Sequence, residues 1–410
     1  MRICIAQRIT LAHPVKGGME RHLQLLASGL AARGHDVHVI TTAHPAGLAE
    51  EVEDGVHLYY LSPYSYRRYQ PAWWRASYAH FAALHAQQPF DLFCSQSAGG
   101  LGYLHRLKRE HDIAVVVVVH ATLWDAVLTH MRGARSARGL ARLARLAWVL
   151  PGHYRLWRTT TTVVDRYIAV SQEVAEGCQR ELHLRPEQVV VVPNGVDTGH
   201  FYPAPEKRLQ ARQRLGLSPD RPVLLYVGRL ESEKGVHLAV RALKEQPGEP
   251  VLLIAGAGHY GSTLHHLAAQ LGLTERVRFL GFVGHEELPD LLNAADIFVM
   301  PTLCQEGLPL SVVEAMACGL PVVATAAGGI PTAVEDNVSG VLFPLGDVAA
   351  LSERLRRLIE APQLRRQLGA AARARAEARF SQAQMAAAYE AVFAAVLRED
   401  GKQRTKEYAI

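Results

Sequence analysis

The stretch from Ile297 to Gly329, IFVMPTLCQEGLPLSVVEAMACGLPVVATAAGG, leaves the backbone little freedom. Two short apolar runs, IFVM and PVVAT, read as strands. Between them the residues predict a helix. Pro309 is expected at its first position, where a missing N–H costs nothing. Gly319 ends it as a left-handed cap, and Pro321 blocks its continuation. Glu314 is the one charge on that helix, among Leu310, Val313 and Ala317 at helical spacing. A carboxylate there is costly to bury without partners. Glu306 stands in the loop that feeds the helix. The helix start offers free N–H groups and the positive end of a dipole. Two acids and an anion-seeking helix start thus meet at the carboxyl end of a strand. That combination suits a ligand with both hydroxyls and phosphates. The plainer alternative is one solvated loop acid and one helix-surface acid.

At 410 residues the chain suits two domains rather than one core. Hydrophobic residues make up 49% and charged residues 20%, a soluble globular balance, and the net charge of +5 is too mild to suggest nucleic acid. The five cysteines (Cys4, Cys94, Cys178, Cys304, Cys318) show no C-x-x-C pairing, which fits a reducing cytoplasm and argues against structural zinc. No apolar run is long enough for a transmembrane helix. MRICIAQ runs straight into a strand without a signal-peptide core. The expectation is a cytoplasmic protein able to lie on a membrane surface.

Taken in order, RICIAQ is a strand. A loop with Gly17-Gly18 follows, then a helix from about Met19 to Ala32, then the strand HDVHVITT. This opens a doubly wound sheet. Glycines at a helix start let a ligand approach the backbone closely, although a lone Gly-Gly is also a plain tight turn. VHLYYL, DLFCSQ and IAVVVVVHAT read as further strands, the last apolar on both faces like a central parallel strand. PYSYRRYQPAWW reads as an irregular loop or short helix. His120 ends the IAVVVVVHAT run, where open α/β sheets bind ligands. Residues 131–158 hold seven arginines. Arg135, Arg138, Arg142 and Arg145 fall on one helical face, and Leu140, Leu143, Ala147 and Leu150 on the other, with Trp148, Tyr154 and Trp157 interleaved. Two readings stand: a helix that docks on anionic membrane, or a solvated basic face over a core-facing one. VPNGVD is a strand running into an Asn-Gly turn, and Phe201–Pro205 reads as a linker. RPVLLYVGRLESEKGVHLAV then restarts the pattern. Arg229 closes the strand and Lys234 opens the helix, which describes either a pyrophosphate clamp or two surface cations. Residues from about Val348 to Glu399 are helical by composition, and the KQRTKEYAI tail reads as unstructured.

Three segments together resemble the retaining glycosyltransferases of family 4. These are the E-x7-E signature from Glu306 to Glu314 continuing into EAMACGLPVVATAAGG, the GRLESEKG stretch from Gly228 to Gly235, and VPNGVD. The resemblance implies the GT-B architecture: two facing Rossmann-like, doubly wound α/β domains with the active site in the cleft. The expected divisions are residues 1–200 (acceptor side), 201–385 (nucleotide-sugar side), and 386–410, a helix returning to the first domain plus the tail. It implies a nucleotide-sugar co-substrate, UDP- or GDP-linked, with no cofactor and no metal. The acceptor is a glycan, a glycolipid or a small molecule.

The resemblance also assigns roles. His120, Arg229, Lys234 and Glu306 are the expected catalytic residues, with His120 and Glu306 on the transferred sugar. Gly18, Gly256, Phe282, Val283, Leu308, Leu310, Ser311 and Glu314 are expected on the donor, Glu314 at its ribose. The acceptor is expected near Gly17. Retention follows a front-face route in which the departing phosphate takes the acceptor proton. Two departures stand out. Pro309 replaces a glycine common in the family and removes a backbone donor. Thr332 follows Pro331 where many members have an acid, although Glu335 is near. The same fold also hosts sugar-nucleotide epimerases, phosphorylases and catalytically silent nucleotide-sugar-binding proteins.

Overall fold

The computed structural model describes residues 1–13, 17–66, 71–125, 127 and 137–407. The chain forms two units, each around one largely parallel sheet. One holds the chain up to Trp124, Arg145–Gly195 and the C-terminal segment from Gln382. The other is built on Val196–Ser381.

The strands of the first unit are β1 (Arg2–Ala6), β2 (Asp36–Thr42), β3 (Glu50–Glu53), β4 (Val56–Leu61), β5 (Leu92–Gln96), β6 (Ala114–Val119), β7 (Arg166–Ala169) and β8 (Val189–Val191). Their order is β3-β4-β2-β1-β5-β6-β7-β8. All neighbours are parallel except β3 and β4. The order reverses between β1 and β5, the kind of switch point at which such sheets take ligands. All six residues of β6 are buried, as the run of valines requires of a central strand. The helix Gln382–Glu407 belongs to this unit and packs on the helix Gly18–Ala32: Gln382 Nε2 donates to Leu25 O at 2.9 Å and to Ser28 Oγ at 3.0 Å.

The second unit contains β9 (Val223–Val227), β10 (Val251–Ala255), β11 (Val277–Gly281), β12 (Ile297–Met300), β13 (Val322–Thr325) and β14 (Gly340–Phe343). The order β11-β10-β9-β12-β13-β14 is parallel throughout and switches between β9 and β12. Asp296 fixes the amino ends of these two strands. It accepts from Arg208 and Arg212, each at 2.7 Å, and from the Val223 N–H at 2.7 Å. Arg212 is buried, so its guanidinium depends on this pairing.

Several elements differ from their sequence reading. Pro71, Trp73 and Trp74, expected in a loop or short helix, start a long helix, Pro71–Gln87. Pro suits a first turn, and the aromatics after it face the core, with Trp73 buried. Pro309 caps its helix from outside, with extended backbone, and the helix is Leu310–Ala317. Phe201, expected in a linker, is buried in the second unit, and the chain passes between units earlier, at Gly195–Val196. The last helix runs to Glu407 through most of the tail expected to be unstructured. Its Lys, Arg and Glu residues are sound helix formers. Within the basic segment, Arg132 and Arg135 lie outside the described residues, as do the side chains of Arg138, Arg142 and Arg145. Of its aromatics, Trp148 and Tyr154 are exposed and Trp157 is buried. Among the described residues no helix is long and apolar enough to cross a membrane. All five cysteines are buried and none is in a disulfide.

Candidate functional site

Lys234 and Glu306 follow adjacent strands, β9 and β12, at the switch point of the second sheet. Lys234 ends a short 3-10 turn, Ser232–Lys234. The expected helix start lies just beyond it, at Val236, because Gly235 takes a left-handed conformation with φ 67°. Gly235 is needed for a second reason: a Cβ there would lie 1.9 Å from the Pro301 carbonyl oxygen. That close approach brings the loop after β9 against the loop after β12. Leu303 N–H donates to Glu233 O at 2.8 Å across the same seam.

Lys234 Nζ reaches Glu306 Oε1 at 2.6 Å, with side chains only 17% and 15% exposed. Thr302 Oγ1 donates to the same oxygen at 2.9 Å. Burial works to lower the Lys234 pKa, but the Glu306 carboxylate outweighs it and holds the ammonium above its ordinary value. The Gly328-Gly329 pair holds the Glu306 backbone. Gly329 N–H donates to Glu306 O at 2.7 Å, and Gly328 N–H to Gln305 Oε1 at 2.8 Å. Arg229 stays exposed beside this cluster. The expected pair of cations is therefore divided into one tied ammonium and one solvent-facing guanidinium.

Glu314 is buried inside its helix, and its carboxylate Oε1 lies 3.5 Å from His285 Nε2. His285 stacks in turn on His200, with centroids 5.2 Å apart. At the helix start the first backbone bonds belong to Val312 and Val313, both to Pro309 O. The N–H groups of Leu310 and Ser311 precede them and point out of the helix end. Leu308 is buried under this loop. Gly256 follows β10 and Phe282-Val283 follow β11, with Phe282 exposed. Among the departures from the family pattern, Thr332 lies in the short helix Ile330–Ala333, and Glu335 is paired with Arg375 at 3.0 Å.

In the first unit, Gly17 and Gly18 stand exposed at the start of the helix Gly18–Ala32. His120 lies past the end of β6, with Nε2 3.0 Å from Gln96 Oε1 at the end of β5. His22 packs edge-on against it, centroids 4.7 Å apart, and reaches the Tyr389 hydroxyl at 3.3 Å. Desolvation pushes the His120 pKa down to about 4. It also pushes His22 well below the ordinary value, and the neighbouring His120 adds to that effect. Two neutral imidazoles therefore stand together at neutral pH. The structure gathers Lys234, Glu306, Leu310, Ser311 and Glu314 around one loop and helix, and sets His120, Gly17 and Gly18 at the carboxyl ends of the other sheet. Thr302, His285, Gln96 and His22 escaped sequence reading. Thr302 lies within the Ile297–Gly329 stretch but carries no signal of its own there; the others lie in no motif, and only the strand-end position of Gln96 offered a signal.

Residues 207–375 match the family described as Glycosyl transferases group 1, and residues 16–200 match Glycosyltransferase Family 4. The D-inositol 3-phosphate glycosyltransferase of Streptomyces scabiei is 31% identical over 95% of this chain and 89% of its own length. The GDP-mannose-dependent monoacylated alpha-(1-6)-phosphatidylinositol monomannoside mannosyltransferase of Corynebacterium glutamicum is 36% identical over 57% of this chain and 63% of its own. Sucrose-phosphate synthase from Thermosynechococcus elongatus shares the fold with a TM-score of 0.78 at 24% identity, covering 100% of this chain and 99% of that one. Anabaena HepE in complex with UDP does so with a TM-score of 0.75 at 23% identity, covering 96% and 100%. With an alignment to the Streptomyces enzyme that runs nearly end to end, and both halves matched to their family, the chain is a GT-B glycosyltransferase of group 1, family 4.

Proposed function

We propose that the protein moves a sugar from a nucleoside-diphosphate sugar, UDP- or GDP-linked, to an acceptor hydroxyl with retention of anomeric configuration, and that no metal holds the pyrophosphate. The observation that carries this reading is the Lys234–Glu306 contact, with Glu306 in the loop that leads into the helix starting at Leu310 and Ser311. As the sugar leaves, the pyrophosphate gains negative charge. Preorganised cations and N–H groups stabilise such charge most where water is scarce. Lys234, held protonated by Glu306, Arg229 and the two amides supply that stabilisation.

Both contacts to Glu306 fall on Oε1, so Oε2 is left to accept hydroxyls of the transferred sugar. A carboxylate tied to an ammonium and a hydroxyl is a poor nucleophile. This supports a route in which the departing phosphate oxygen takes the acceptor proton. Glu314 accepts from the ribose hydroxyls, as one carboxylate can from a vicinal diol. His120, neutral at working pH, offers the sugar a hydrogen bond without a competing charge. Gly256, Phe282 and Val283 border the base. The relatives named for inositol phosphate and for a phosphatidylinositol mannoside support a cyclitol hydroxyl, free or lipid-linked, as the acceptor. The reaction belongs in the cytoplasm, where buried thiols stay reduced.

The test is a screen of UDP-, GDP- and ADP-sugars for thermal stabilisation, since a ligand that binds only the native state raises its melting temperature. The stabilising donor is then incubated with inositol phosphates and the product anomer read by NMR. Inversion at the anomeric carbon would overturn the retaining route. Failure of every nucleotide sugar to stabilise the protein would overturn the donor assignment.

A further inference from the structure

A histidine cluster at the opposite end of the first sheet takes no part in the proposed transfer. Asp36 opens β2, and His38 follows it on the same face of the sheet. His57 on β4 is the registered partner of His38, and the two imidazoles stack at 4.7 Å with an 11° interplanar angle. Asp36 Oδ1 lies 2.9 Å from His38 Nε2 and 3.9 Å from His57 Nε2, and the three ligand atoms are all within 4.8 Å of one another. Arg2 Nε donates to the other carboxylate oxygen, Oδ2, at 2.9 Å. This leaves Oδ1 facing the imidazoles. His38 Nδ1 is engaged by the Tyr59 hydroxyl at 3.1 Å. Its Nε2 is buried, and among the described residues its one close polar neighbour besides His57 is Asp36 Oδ1. A proton can bridge His38 and Asp36, but three ligand atoms converging within 4.8 Å, two imidazole nitrogens and one carboxylate oxygen, are also a set that one cation can share.

We propose that Asp36, His38 and His57 bind one divalent transition-metal ion of the zinc class at the amino ends of β2 and β4. Two imidazole nitrogens and one carboxylate oxygen suit Zn²⁺, Co²⁺ or Ni²⁺ better than Mg²⁺ or Ca²⁺. With metal–ligand bonds of about 2.0–2.1 Å, a tetrahedral site spaces its ligand atoms by about 3.4 Å. The observed 2.9 and 3.9 Å straddle that spacing, and ion binding requires the stacked rings to rotate out of parallel so that both nitrogens aim at one point. Tyr59 behind His38 is the outer partner that fixes a metal-bound imidazole. The side chains of His57 and Asp36 are 43% and 41% exposed, which opens a path for the ion and leaves a fourth position to water. The candidate transfer residues of this unit, His120 and the Gly17-Gly18 turn, lie at the carboxyl ends of the strands. The ion therefore ties β2 to β4, and through Arg2 to β1, and does not enter the transfer chemistry.

The experiment is a Co²⁺ titration of the full chain followed by visible absorption, with Zn²⁺ competition and thermal melts alongside. One equivalent should give the intense d–d bands of a four-coordinate site, Zn²⁺ should remove them, and either ion should raise the melting temperature. His57→Ala removes an exposed ligand, so the protein should fold as before, lose the bands and bind Zn²⁺ at least about tenfold more weakly. Asp36→Asn should do the same. If it fails to fold because Arg2 loses its partner, His57→Ala decides alone. Absence of a one-equivalent band, or a band that His57→Ala leaves unchanged, would overturn the site. Either result is independent of whether a nucleotide sugar binds.

Discussion

Lys234 and Glu306 stand 72 residues apart in the chain, yet Lys234 Nζ lies 2.6 Å from Glu306 Oε1. The switch between β9 and β12 brings their loops side by side, and Gly235 lets the two backbones touch. Each residue constrains the other. The carboxylate keeps the ammonium charged, and the ammonium keeps the carboxylate from turning away from the helix start.

Lys234→Ala is expected to cut turnover by about 10²-fold or more, since lost transition-state charge stabilisation is worth several kcal/mol. It also leaves Glu306 with Thr302 as its remaining side-chain donor among the described residues, which costs roughly 3 kcal/mol of stability if the carboxylate stays buried. Circular dichroism and a melting curve separate the two effects. A folded Lys234→Ala protein with near-normal turnover would remove Lys234 from the chemistry.

The depressed pKa of His120 makes stability depend on pH with a definite sign. Unfolded, the imidazole binds a proton near its ordinary pKa of 6.5; folded, it does so only near 4. Between those values the unfolded state holds more protons, so stability rises with pH across this window. The contribution is complete above 6.5 and is lost as pH falls through the folded pKa. His22, also depressed by burial, adds in the same direction. Urea midpoints measured from pH 4 to 7 should climb in the wild type and climb less in His120→Gln. Equal slopes would mean that His120 titrates normally in the folded protein.

Much of this molecule was legible because its signals are local. Gly17-Gly18 before an apolar helix, the valines of β6, and the Gly319-Leu320-Pro321 stop each act within a few residues. The Glu306–Glu314 spacing within one strand–loop–helix unit was legible for the same reason. What was hidden depends on contacts between distant segments. Nothing in GRLESEKG announces that Lys234 pairs with Glu306, nor that His285 approaches Glu314. The helix Pro71–Gln87 was missed because its aromatic start mixes loop and helix signals. Only burial of Trp73 and Phe81 against the sheet decides between them.

Gly328 has φ 52°, and a Cβ added there would lie 2.2 Å from the Glu306 carbonyl oxygen. Gly328→Ala therefore cannot keep the loop where it is. The expected outcome is a loss of about 1–3 kcal/mol from backbone strain, with Glu306 displaced and turnover reduced more than the stability loss alone explains. Ala at Gly346 is the control. It also has positive φ, 79°, but its nearest added contact is a comfortable 3.8 Å from the Leu303 side chain. Matching activity losses in the two variants would show that strain, and not displacement of Glu306, is responsible.

If the pyrophosphate is held as proposed, by Lys234, Arg229 and the Leu310 and Ser311 amides, turnover survives excess EDTA. Chelation should instead lower the melting temperature, through the Asp36–His38–His57 cluster. The assay is run well below the melting temperature of the chelated protein so that the two effects stay separate. Activity abolished by EDTA under those conditions and restored by Mg²⁺ or Mn²⁺ would mean that a metal holds the pyrophosphate.

The two glutamates should separate kinetically. Glu314 sits inside the helix beside His285 and is assigned to the ribose, which does not change during reaction. Glu306 sits in the loop with Lys234 and is assigned to the sugar, where charge develops. Loss of binding common to ground and transition states raises KM and spares kcat, whereas loss of a transition-state contact lowers kcat. Glu314→Gln should therefore act mainly on donor KM and Glu306→Gln mainly on kcat. Both changes keep size and one acceptor oxygen. In Glu306→Gln the buried Lys234 loses its counter-charge, so part of any fall in kcat comes from a weakened clamp. Lys234→Met combined with Glu306→Gln resolves that part: if the double variant is no slower than Glu306→Gln alone, the two residues act as one unit. Melting curves come first, since Glu314 is buried in an otherwise apolar helix. A larger fall in kcat for Glu314→Gln than for Glu306→Gln, with donor KM unchanged in both, would reverse the assignment of sugar and ribose.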